Sequence, residues 1–318
     1  MEPTLMPIDR STALSRATAA TASRSMSRYA RRFVLVSVSL LLTACSSIQL
    51  GYNNADTLLA YSLDSYLDLD DTQEQLARDR IGALHRWHRS TQLAGYVALL
   101  NDAQNRLGGP VTAADVREFN ARLNRNLAAI GEQAAPDLAQ LALTLRPAQI
   151  ERLADRLARD TSKARRELVR FAGPESLEQR VERNIERAED WFGTLTPGQR
   201  ELIRASLERS PDAQDAWMQE RDRRQHDFVA VLARIRAERP APEMASAWLR
   251  DYIAEFSEPR EAERRARLQQ IRQNNAALIA QLVNSATLEQ RASAVKKLRS
   301  YAADLRDLSA QAKIANGG

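Results

Sequence analysis

The sequence predicts an all-α protein, an elongated bundle of eight or nine helices. Three observations lead there. Glycine and proline number only 11 each and aromatic residues make up 5% of the 318, a composition suited to helices. Apolar residues recur at spacings of three, four and seven, without sustained β-branched alternation. Breakers then divide the periodic stretches at intervals that leave short connections.

The first element is an address. Arg24, Arg28, Arg31 and Arg32 precede an apolar run from Phe33 to Leu42, interrupted by Ser37 and Ser39. Such a run is far below the roughly 20 residues a membrane-spanning helix needs. It suits the apolar region of a secretory signal instead. Leu42-Thr43-Ala44-Cys45 closes the run and resembles the bacterial lipobox. That resemblance implies cleavage after residue 44 and acylation of Cys45, including palmitate. Ser46 and Ser47 resemble the pattern that sends lipoproteins to the outer membrane, facing the periplasm. Met26 would open a signal of conventional length, about 20 residues.

Charge follows the same division. Six of the 46 basic residues and two of the 41 acidic ones lie in 1–44, leaving 40 and 39 in the mature part. The pI near 9.6 therefore belongs to the signal, and nucleic acid is not an expected partner. The single cysteine excludes an internal disulfide framework and any multi-thiolate metal site.

Residues 45–57 are expected to form a lipidated tether, with 58–318 as a helical periplasmic domain. A long helix begins near Asp70 and closes at Gly108-Gly109-Pro110. Pro136, Pro147, Pro174, Pro197, Pro211, Pro242 and Pro259 mark expected helix starts. Apolar stripes run through Ile150, Leu153 and Leu157, through Leu177, Val181, Ile185, Ala188 and Phe192, and through Leu268, Ile271, Leu278 and Leu282. Leu288, Val295, Leu298, Ala302 and Leu305 form a fourth. Arg239-Pro240-Ala241-Pro242 is the candidate subdomain boundary. Arg221, Arg223 and Arg224 interrupt the stripe from Trp217 to Phe228, facing either solvent or a partner.

Four expected helix starts share a spacing: Leu69 to Gln73, Leu145 to Gln149, Leu195 to Gln199 and Ala286 to Gln290. Thr196 can cap the backbone, Gln199 can reach back to the cap residue, and Leu195 can act as a hydrophobic staple. Asp70 with Gln73 and Thr287 with Gln290 can do likewise, whereas Arg146 replaces the capping residue at the second start. Leu195-Thr-Pro-Gly-Gln199 also resembles the motif of the LTxxQ periplasmic proteins, which include chaperones. Plain capping and a chaperone role are both compatible with it.

Two further constellations carry chemistry. His85 and His88 lie one turn apart among Arg86, Trp87 and Arg89, and could share a metal with Asp79, Glu74 or His226. The flanking arginines oppose a cation, so a structural role is expected and no metal site is assigned. Arg78, Arg80, Arg86 and Arg89 with Trp87 could instead grip an anionic partner. Tyr52-Asn53-Asn54-Ala55-Asp56 offers either a turn with Asp56 capping the next helix or a partner-docking surface. Nucleophile elbows, phosphate-binding loops and H-E-x-x-H are absent from the sequence. An enzyme, a cofactor and a small-molecule substrate are therefore not expected.

The segment Cys45 to Asp56, then Tyr66-Leu-Asp-Leu-Asp70, Gln73 and Leu84-His-Arg-Trp-His-Arg89, resembles a family of bacterial lipoproteins, domain of unknown function 6279. The likeness is expected to run over essentially the whole mature chain. It implies lipid anchoring and a helical fold, and it supplies no activity. The expected role is structural, scaffolding or partner-binding among envelope proteins, with an LTxxQ-like chaperone or a metal or stress sensor as alternatives.

Overall fold

The computed structural model describes residues 47–170 and 176–316, and all of its regular structure there is helical. The signal and Cys45 lie outside the described residues, as do Phe171, Gly173 and Pro174. The chain divides into two compact units, Met1–Gly51 and Tyr52–Gly318. Of the first only Ser47 to Gly51 is described, in the first helix.

The helices are α1 (Ser47–Asn53), α2 (Ala55–Leu67), α3 (Asp71–Trp87), α4 (Leu93–Arg106), α5 (Ala113–Thr144) and α6 (Pro147–Arg170). After them come α7 (Ser176–Phe192), α8 (Pro197–Glu208), α9 (Ala213–Glu238), α10 (Pro242–Ser257), α11 (Ala262–Ser285) and α12 (Leu288–Asn316). A π-helical turn, His88–Gln92, joins α3 to α4, so the described residues make eleven helical rods rather than eight or nine. The surplus arises partly at the amino end, where the stretch expected to be a tether is helical.

Proline and glycine explain most boundaries. Pro197 and Pro242 occupy the first turn of α8 and α10, where a missing N–H costs nothing. Gly193 ends α7 at φ 73°. Arg239 closes α9 in the left-handed region at φ 45°, which makes 239–242 a tight turn between α9 and α10.

Pro136 departs from expectation: it lies inside the 32-residue α5. A proline there removes one helical hydrogen bond. The residues around it compensate, because Ala135, Ala139 and Ala142 are fully or almost fully buried. Gly131 lets α10 approach this stretch, since a Cβ there would sit 2.7 Å from Ile253 Cγ2.

At about 1.5 Å per residue, α5 is long enough to serve two cores. Its carboxy-terminal half joins α2, α6, α9 and α10 around Leu67, Ala139, Leu145, Ile150, Ile235 and Leu249. Its amino-terminal end meets α11 through Val111, Val116, Ala276, Ala280 and Val283. Beside that contact, α7, α8 and α11 pack Val181, Ile185, Leu195, Ile203 and Leu282. The fourth stripe is shifted: Leu288 is 87% exposed, and α12 buries Ala294, Leu298, Ala302 and Leu308.

The arginine break in α9 faces two ways. Arg223 turns outward to Asp227 and Glu261. Arg224 turns inward, pairing with the buried Glu220 at 3.0 Å and lying over the Phe256 ring. Arg264 of α11 grips the same carboxylate with two N–H donors, one at 2.7 Å, and also reaches Glu255. Arg264 thereby holds Glu220 below the usual glutamate range and ties α9 to α11.

Candidate functional site: a latch and two glutamine clasps

The capping spacing has a tertiary purpose. At the first start Asp70 accepts from Gln73 N, and Gln73 Oε1 accepts from Asp70 N at 3.2 Å. Thr196 with Gln199 and Thr287 with Gln290 repeat both bonds. At the second start only the return bond exists, from Arg146 N to Gln149 Oε1 at 2.8 Å. The Arg146 guanidinium meanwhile pairs with Asp70 of the first start.

These glutamines then meet in pairs. Gln73 and Gln149 each donate to the other's side-chain oxygen, at 3.2 and 2.7 Å. Their amides also donate to Thr144 O and Asp68 O, the carbonyls two residues before the partner's cap position. Gln199 and Gln290 repeat the arrangement, with Ser285 O and Thr194 O as the outer acceptors. All four residues are at most 5% exposed. A buried amide is costly unless paired, and here every donor and acceptor has a role. Leu195 is no staple, because the residue it would meet is Arg200. It is buried beside Ile203 and Leu282 instead.

The second feature joins two segments that the sequence keeps apart. Tyr52 packs its ring 4.7 Å from that of His85 and 5.8 Å from that of His88. Its hydroxyl lies 2.7 Å from His88 Nδ1. Burial pushes the Tyr52 phenol up to about 12, against the opposing pull of Arg89, so it stays protonated and able to donate. Arg89 stacks over Tyr52 at 5.2 Å and donates to Asn53 Oδ1. Tyr96 completes the cluster at 5.6 Å from His88.

The π turn helps to present these groups. An extra residue in the turn frees carbonyls that an α-helix would use. Ser90 Oγ donates to Arg86 O and Thr91 Oγ1 to Trp87 O, at 2.9 and 2.7 Å. Burial lowers the pKa of both histidines, with Arg89 and Arg86 adding to the effect at His85 and His85 adding to it at His88. His85 Nε2 and Arg89 Nε are buried without a hydrogen-bond partner.

Other expected roles are redistributed. Asp56 does not cap α2: it lies inside the first turn, accepts from Thr57 N and stands 3.8 Å from His85 Nδ1. Asn54 holds the cap position without a side-chain cap bond. Glu74 pairs with Arg78, and Asp79 accepts from Gln75, so neither joins the histidines. Groups of three or more His, Cys, Asp or Glu suited to a metal are absent among the described residues. The arginines that could grip an anionic partner are dispersed, since Arg80 pairs with Asp137 and Arg89 turns to Tyr52. Trp87 is partly buried beside His88, and Arg86 stays exposed.

A family model, described as a family of unknown function (DUF6279), matches residues 65–245, more than half of the chain. The chain belongs to this family. The DUF6279 match takes in α3, the π turn, the first glutamine clasp and Gln199, and ends in α10. Tyr52 and Gln290 lie outside it. No curated protein and no solved structure matches the chain. The described residues contain no helix long and apolar enough to cross a membrane.

Proposed function

We propose that this DUF6279 protein is a lipid-anchored, non-enzymatic binding protein of the bacterial outer membrane, held by acylated Cys45 and presenting its helices to envelope proteins in the periplasm. The observation that carries the reading is the latch at Tyr52. Tyr52 lies seven positions after Cys45, a stretch that reaches at most about 25 Å, so the latch holds the chain close after its attachment point. A flexible tether would let the helical body wander, whereas Tyr52, Asn53 and Arg89 fix the chain to the α3–α4 rod.

The lipobox supplies the other half of the reading. Several acyl chains on one cysteine give stable attachment, while a single chain is marginal. The glutamine clasps favour partner binding over an LTxxQ-like chaperone. Leu195 and Gln199 are buried and their polar atoms are used internally, so that motif offers nothing to a client. A metal or stress sensor finds less support, because the His88 Nδ1 position is taken by Tyr52.

The test is in-cell crosslinking followed by mass spectrometry, with Cys45→Ala as the mislocalised control. A few stoichiometric envelope partners lost in the control are expected. A broad set of unfolded clients would favour the chaperone instead.

A further inference from the structure

A cavity of about 850 Å³ opens between the end of α4, the start of α5, and α7, α8, α11 and α12. Its walls are mainly apolar, with Phe119, Trp191, Phe192, Leu278 and Leu282 lining it and Ile279 at the solvent-exposed mouth. Protein interiors rarely keep voids larger than a water molecule, and an apolar recess of this size forgoes contacts on every wall. Its volume lies within the range of roughly 300–1,000 Å³ that ligand sites occupy.

The charged groups at its edge sort themselves. Asp102 pairs with Arg122 at 2.6 Å and Asp115 with Arg106 at 2.8 Å. Glu118 and Arg187 also line the cavity, are exposed, and have no charged partner among the described residues. An apolar chamber with one uncommitted carboxylate and one uncommitted guanidinium complements a molecule with an alkyl tail and a zwitterionic head. Sugars and nucleotides would find too few polar partners on such walls.

We infer that the cavity binds a single-chain zwitterionic amphiphile of the acyl-glycerophosphoethanolamine class. The acyl chain fills the space between Trp191 and Leu278. The phosphate meets the guanidinium of Arg187, whose planar donors suit its oxygens, and Glu118 accepts from the ammonium. This site is separate from the Tyr52 latch and does not require Cys45 to be acylated.

The experiment uses the full chain in bacterial membrane vesicles and in the soluble fraction. Each is exposed to a photoactivatable single-chain phosphoethanolamine, and labelled peptides are located by mass spectrometry. Labels are expected on the peptides carrying Trp191 and Leu278. Unlabelled competitors should gain about tenfold in potency for every two added methylenes until the chamber is full. Ala188→Trp, which narrows the chamber, and Ile279→Asp, which leaves the buried core intact, should each abolish that label. Thermal melting checks that both variants fold. Replacing Glu118 and Arg187 by Gln should remove the preference for phosphoethanolamine over a neutral head. Labels elsewhere, a label indifferent to Ile279→Asp, or displacement by an apolar peptide but not by the lipid would overturn the inference. Because both fractions are read, the outcome is independent of where the protein is anchored.

Discussion

Gln199 and Gln290 exchange side-chain hydrogen bonds at 2.8 and 3.0 Å across 91 positions of sequence, each while capping its own helix. Gln73 and Gln149 form the same clasp in the neighbouring core, 76 positions apart. A substitution therefore removes a cap and strands a buried amide together. Gln199→Leu is expected to cost about 2–4 kcal/mol, the sum of a lost cap and an unsatisfied buried partner. Urea unfolding of Gln199→Leu, Gln290→Leu and the double variant checks this. The double variant should be more stable than the two single losses added together, because it leaves no glutamine side chain orphaned across the clasp.

The Glu220–Arg264 pair obeys the same logic with charges. Arg264→Met leaves the buried carboxylate with Arg224 still beside it and is expected to cost about 2–3 kcal/mol, the worth of hydrogen bonds to a charged group. Glu220 has its pKa depressed in the folded protein. Its contribution is thus full above the ordinary glutamate pKa and is lost as pH falls below that value through the folded one. Acid unfolding of Glu220→Gln should accordingly be shallower than that of the wild type.

How much of this was legible in the sequence depends on whether the signal was local. Helices, caps and the stripe through Val181 and Ile185 follow from spacing and residue type, because backbone geometry converts spacing directly into a face. Pro136 misleads, since proline marks a helix start only when nothing packs strongly across it. The clasps were half visible: the shared spacing of cap residue and glutamine shows the caps, but no spacing shows that two caps face each other. Tyr52 and His88 were singled out separately, 36 positions apart, and only the folded chain brings them together. The cavity had no sequence signal, because its walls are the same apolar residues that build a core.

Acid should loosen the latch. Both histidines have lowered pKa values, so the folded latch binds protons less readily than the unfolded chain. Stability is therefore full above the ordinary histidine value of about 6.5 and is lost as pH falls below it. His88 becomes a donor on protonation and can no longer accept from Tyr52. Hydrogen exchange of α1 and the π turn at pH 7.5 and 5.5 should show faster opening in acid. A variant with both His85 and His88 replaced by Gln should show little of that difference.

Tyr52→Phe keeps the ring contacts and removes only the hydroxyl. A loss of about 1 kcal/mol is expected, the ordinary worth of one hydrogen bond. Tyr52→Ala also removes the stacking with His85 and Arg89 and should cost more, by roughly 1–2 kcal/mol. Thermal melting of the two variants separates the contributions. Equal losses would mean that the ring contributes nothing.

The most direct test of the anchored-protein account is the intact mass of the chain extracted from outer membranes. The account predicts a polypeptide that begins at Cys45 and carries the added mass of its acyl groups, with Cys45→Ala found unprocessed. An unmodified chain, or one that retains the residues before Cys45, would contradict it.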